Sequence, residues 1–199
     1  MKTTRSLMTR GALRFAAIGL AAWTSALLFP QSVLADDSKS TLNSTDVSFV
    51  KHAGQMAKDE IKITELGTRK AERSDVKNLA EMLMKDRTDM NTELMQMAGA
   101  KQIPLSAVIS PSSAEKFQNL ERYSGIDFDR AFVGMMESAQ QNAVSMFEKA
   151  EKKVADADLR MWFSRKLATL RLNMDVIKDV KSKLPPDTTI DTTTPPYLK

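Results

Sequence analysis

"MLMKDRTDMNTEL", residues 82–94, contains neither proline nor glycine, and its apolar side chains recur at helical spacing. Leu83, Met90 and Leu94, continued by Met97, lie seven, four and three apart and mark one face of a helix. Arg87 lies on that same face, four after Leu83 and three before Met90. A helix that turns a permanent cation toward its own core requires an acid or a set of acceptors from another helix. The stretch therefore predicts a helical bundle with a polar layer inside it.

Working outward, the pattern extends from about Asp75 to Ala100, with Ser74 as N-cap and Val76 and Leu79 on the stripe. A preceding helix is expected from about Asp46 to Ala71, capped by Thr45, with Phe49, Ala53, Met56 and Ile63 facing in. Only "ERS" separates the two, so they should form an antiparallel hairpin. A third long helix is expected from about Asp127 to Val154, using Phe128, Phe132, Met136, Ala143 and Phe147. A fourth begins at Asp156, uses Leu159, Phe163, Leu167, Leu170 and Ile177, and stops before Pro185 and Pro186. Between the hairpins, "KQIPLSAVISPS" is extended. Ser112 and Glu115 then have capping-box spacing before a short helix, "AEKFQNLERYS", ended by Gly125. A helix of 26 residues is about 39 Å long, a length that such a connection can run back along. The expected fold is all-α: a four-helix ferritin-like bundle with a long crossover carrying a short helix between helices two and three. Ile103, Leu105, Val108, Ile109 and Phe117 of the crossover are expected to cover a bundle edge rather than to bind a partner.

Residues 1–35 do not belong to that domain. Lys2, Arg5, Arg10 and Arg14 precede an apolar run from Phe15 to Phe29, and Val33 and Ala35 are small residues at signal-peptidase positions. The run is shorter than the ~20 residues that span a bilayer, so cleavage after Ala35 and no remaining transmembrane segment are expected. Residues 36–44 are a polar lead-in, 45–184 the bundle, and 185–199 a flexible tail rich in threonine and proline. The whole chain has 29 basic and 25 acidic residues, but four basic and no acidic ones lie in the leader. The remainder balances 25 against 25, which removes the support for a nucleic-acid partner. A periplasmic or secreted location follows from the leader. With no cysteine, stability rests on the core alone.

Each stripe has one polar interruption near its middle: Glu60, Arg87, Gln140 and Asn173. Nearly equal distances from the hairpin turns, within about two residues or ~3 Å of rise, place these four in one layer, with Asp86 as a possible accessory. In four-helix carboxylate proteins that layer holds metal through four carboxylates and two Glu-x-x-His pairs. Here there is no Glu-x-x-His, the one histidine is His52, more than two turns from Glu60, and Arg87 would repel a cation. The layer is thus expected to be a buried network in which Glu60 neutralises Arg87 and the two amides satisfy what remains. No metal and no cofactor are expected. Eleven methionines lie outside the leader, but "MLM" and "MQM" place their sulfurs on opposite sides of a helix, so core filling is the better account. One histidine, no cysteine and no glycine-rich phosphate loop leave no catalytic constellation.

The chain resembles a family of exported bacterial proteins, domain of unknown function 4142. The likeness rests on "FVKHAGQMAKDEI", "VKNLAEMLMKDRTDMNTEL" with "IPL" after it, "FDRAFV" followed by "AVSMFEKA", and "LATLRLNM", together spanning roughly Phe49 to Val180. The resemblance implies a ferritin-like bundle and no established activity. Family members commonly carry Asp-His where this chain has Asp86-Arg87, and often histidine at the positions of Gln140 and Asn173. A metal-binding ability of relatives in that layer would be lost here, while Glu60 keeps the acidic position. The expectation is an exported, non-enzymatic envelope protein that is structural, stress-associated or binds an unknown protein partner. The rival is a metal-binding or redox protein with a degenerate site around Glu60.

Overall fold

A computed structural model describes residues 42–186. The leader, its cleavage point after Ala35 and the tail beyond 186 lie outside the described residues. Five helices follow one another: α1 (Ser44–Lys70), α2 (Ser74–Ala100), α3 (Pro111–Glu121), α4 (Gly125–Lys153) and α5 (Ala157–Ser182). Among the described residues there is no strand, and no helix is long and apolar enough to cross a membrane.

The arrangement follows from how the apolar halves cluster. One core cluster joins Val50 and Ala53 of α1, Met90 and Leu94 of α2, Phe147 and Ala150 of α4, and Leu159 and Phe163 of α5. The other joins Ile63 and Leu66, Val76 and Leu79, Phe128 and Phe132, and Ile177 and Val180. Early α1 therefore meets late α2, late α4 and early α5. So α1 runs antiparallel to both α2 and α4, and α2 and α4 run the same way. The main pairings are α1 with α2 and α4 with α5; α1 also borders α4, and α2 borders α5. Two helices that run the same way need a connection as long as the bundle. Residues 101–124 supply it: Ile103 is buried in the first cluster and Leu120 in the second. The crossover is tied along α1 on its way, with Lys58 Nζ donating to the Ala107 carbonyl and Gln55 Nε2 to that of Val108, each at 3.1 Å. Leu105 and Phe117 pack on the clusters, whereas Val108, expected to cover the bundle, is 71% exposed.

Several helix ends differ from the sequence reading, and each has a physical cause. Asn43, not Thr45, caps α1: its side chain accepts from the Asp46 N–H at 2.8 Å while Asp46 accepts from the Asn43 N–H. Helix α2 starts at Ser74; its N-cap, Arg73, has no side-chain acceptor with which to cap it, and the N–H groups of Glu72 and Arg73 just before the helix are satisfied from outside by Asp129 of α4. Arg73 instead donates to Asp75, a hydrogen bond that holds the Asp75 carboxyl below its usual range. Ser110 rather than Ser112 caps α3, with Pro111 at its first position, where a missing N–H costs nothing. Asp59 fixes that choice, accepting from the Ser110 N–H at 2.8 Å and hydroxyl at 2.7 Å. Gly125, expected to end α3, opens α4 with φ +57°, a conformation suited to glycine. On α1 the buried face is turned by one residue: Val50 and Ala57 are buried, and Phe49 and Met56 lie half-buried at its edge.

Candidate functional site

Glu60, Arg87, Gln140 and Asn173 belong to neither apolar cluster and lie between them, one from each long helix. All are buried, Arg87 to 2% and Gln140 to 1% residual exposure. Arg87 Nε donates to Glu60 Oε2, and its Nη2 donates to Gln140 Oε1. Gln140 Nε2 passes the chain on to the Leu170 carbonyl of α5. One guanidinium thus links α1, α2 and α4, and the amide of Gln140 reaches the fourth helix. Asn173 does not join this chain as expected. Its Nδ2 donates instead to Asp86 Oδ2 at 2.9 Å, forming a separate tie between α5 and α2. No buried side-chain nitrogen or oxygen among the described residues lacks a partner.

This arrangement is closed to a cation. Glu60, the one carboxylate in the chain of bonds, is ion-paired with Arg87, and the guanidinium stands where a second positive charge would have to enter. Among the described residues, no group of three or more His, Cys, Asp or Glu side chains is placed to hold a metal ion.

Two further carboxylates were not singled out in the sequence. Asp46 is fully buried and accepts from the Ala155 N–H at 2.8 Å and more weakly from that of Asp156. Asp129 is fully buried and accepts from the N–H groups of Glu72 and Arg73 at 3.1 and 2.9 Å. Each reaches from the first turns of one hairpin into the turn of the other. Asp46 had a local signal in its capping box with Asn43; Asp129 had none, since its partners are more than fifty residues away.

Beside the closed layer, the surface between α1 and α4 is open. A groove of about 570 Å³ is lined there by Phe49, His52, Met56, Asn142 and Met146, with Glu60 at its inner end. It continues past Ala139 into a hollow of about 420 Å³ that includes Ile63, Met135 and Met136. The N-terminal part of α3 forms one wall through Ser113 and Lys116. His52 is exposed, Met56 half-buried and Met146 6% exposed.

The chain belongs to the family DUF4142, a domain of unknown function, which it matches over residues 31–180. No curated protein matches the chain. Among solved structures, it is similar in fold to a DUF305 fragment from Deinococcus radiodurans, with a TM-score of 0.65 and 18% identity over 72% of this chain and 99% of that one. CopM in its Cu(II)-bound form is similar with a TM-score of 0.58 and 19% identity, over 69% of this chain and 95% of that one. A conserved hypothetical protein from Mycobacterium tuberculosis, rv2844, follows at 0.56 and 13%, over 71% and 94%. At these identities the likeness is one of fold.

Proposed function

We propose that this DUF4142 domain is an exported, non-catalytic binding module of the cell envelope that holds its ligand in the groove between α1 and α4. The observation that carries the reading is the contrast between layer and groove. Arg87 engages both Glu60 and Gln140 and closes the bundle centre, while the groove beside it stays open over about 570 Å³. His52 makes no hydrogen bond or ion pair among the described residues, and a polar side chain free at the rim of a concave surface is available to a ligand. Export is supported by the basic and apolar pattern of the first 35 residues. A non-catalytic role is supported by composition: the chain has no cysteine, and its one histidine, His52, has no second histidine to share acid–base work with.

A second reading, a metal site around Glu60, draws on the copper-bound forms in which CopM was solved. The ion pair of Glu60 with Arg87 weighs against it. One experiment separates the readings. Expressed with its leader in a bacterial host, the chain should be found in the envelope fraction with Asp36 as first residue. Native mass spectrometry of that material should show a bound mass that Asn142→Trp, which fills the groove, removes. Retention in the cytoplasm with the leader intact, a bare polypeptide mass, or a bound mass lost in Glu60→Gln but not in Asn142→Trp would each overturn the proposal.

A further inference from the structure

We propose that His52, Met56 and Met146 form a three-donor site for a soft monovalent cation, copper(I), at the outer end of the groove. The inference rests on the groove reading and names its ligand. Residues 52 and 56 are one helical turn apart on α1, which puts their Cβ atoms about 5–6 Å from each other on one face. The register of α4 against α1 is fixed by contacts along its length. Asp46 reaches Ala155, Glu60 and Gln140 meet on Arg87, and Gly67 faces the ring of Phe132. Each step up α1 is therefore a step down α4, and Met146 falls at the level between His52 and Met56. All three side chains line the same groove.

The chemistry of this set is selective. An imidazole nitrogen with two thioether sulfurs is a neutral, soft donor set, suited to copper(I) and poorly suited to hard divalent ions, which prefer carboxylates and water. A monovalent ion bound by neutral ligands needs no buried counter-charge, so Glu60 can remain with Arg87. The carboxylate of Asp59 in the same groove is likewise engaged, accepting from Ser110 and Gln55, and the two lysines of the lining, Lys116 and Lys149, are exposed and can carry their ammonium groups out into solvent. Phe49, half-buried in the same lining, provides an apolar wall that limits water at the sulfurs. The methionines of "MLM" and "MQM" offer no such convergence: residues two apart point to opposite sides of α2, and Met95 is 57% exposed with its sulfur accepting from Asn91 Nδ2 at 3.4 Å.

The test uses the chain recovered from the envelope fraction, stripped of metal and titrated anaerobically with copper(I) against a chromophoric chelator. One equivalent should bind. Silver(I), added as a diamagnetic probe, should shift the Met56 and Met146 methyl resonances and leave in place those of Met95 on α2 and Met161 on α5, both exposed and outside the groove. Met56→Leu and Met146→Leu are nearly volume-conserving and should leave the fold intact. Each should weaken copper(I) more than about tenfold, the lower end of the loss seen even for outer partners of a metal site. Full copper(I) affinity in the double variant, or shifts confined to exposed methionines, would refute the site. Absence of copper(I) binding, with an envelope-acquired mass still removed by Asn142→Trp, would refute the cation and leave the groove reading standing.

Discussion

Arg87 is among the largest fully buried side chains of the molecule, yet its charge is compensated by one carboxylate and one amide. Removing one member of such a pair leaves an uncompensated buried charge, which costs about 3–5 kcal/mol. Arg87→Met should therefore lose that much in urea unfolding, because Glu60 is left buried at 8% exposure with no cation. Changing both residues removes the charge together with its partner. Glu60→Met combined with Arg87→Met should recover at least half of the loss, the remainder coming from Gln140 Oε1, an orphaned acceptor worth about 1–3 kcal/mol. If the single variant costs under about 1 kcal/mol, the pair behaves as a solvent-screened one and the layer is not a closed network. The sequence singles out these four residues because each interrupts an apolar stripe. It did not reveal the partners: Asn173 donates to Asp86 of α2, while the Leu170 carbonyl of its own helix accepts from Gln140.

At the scale of the helices, two glycines make a contrast that only packing explains. A Cβ on Gly67 of α1 would lie 2.6 Å from the Phe132 ring and 2.9 Å from the Ala80 Cβ, too close for either helix to keep its place. A Cβ on Gly134 of α4 would meet nothing within 4 Å. Alanine favours a helix interior over glycine by about 1 kcal/mol, whereas overpacking costs about 1–3 kcal/mol. Gly134→Ala should thus raise the melting temperature and Gly67→Ala should lower it, and differential scanning calorimetry of the two reads the sign directly. A rise for Gly67→Ala would mean that α1 and α4 are not in the close contact described. The existence of the helices was legible from periodicity, since stripes of more than twenty residues leave little ambiguity. Their ends were not. Asp59 decides where α3 begins and Asp129 decides where α2 begins, and both act from elsewhere in the chain. The groove was illegible for the same reason: that His52 and Met146 line one hollow follows only once the register of α1 against α4 is known.

For the molecule as a whole, the question is whether two hairpins, α1–α2 and α4–α5, unfold as one body. Their longer contacts are within each hairpin, but each hairpin inserts one buried aspartate into the turn of the other. Asp129 takes two N–H groups where α2 begins, and Asp46 takes two where α5 begins, so each also meets the positive end of a helix dipole. The two ties lie at opposite ends of a bundle whose first helix has 27 residues, hence about 40 Å apart. Replacing either aspartate by alanine should cost about 2–3 kcal/mol, the value of a hydrogen bond to a charged group plus the exposure of an orphaned amide. Sites so far apart with no shared partner are additive within about 0.5 kcal/mol, provided that folded and unfolded are the only populated states. Asp46→Ala with Asp129→Ala should therefore lose the sum of the single losses. Trp162, 1% exposed in one cluster, reports that end by fluorescence, and far-ultraviolet circular dichroism reports every helix. Coincident urea curves by the two probes, with additive losses, would establish that the aspartates bolt the hairpins into one cooperative unit. Divergent curves and a double loss smaller than the sum would show that the hairpins separate before they melt, and the polar layer between them would then be exposed in the intermediate.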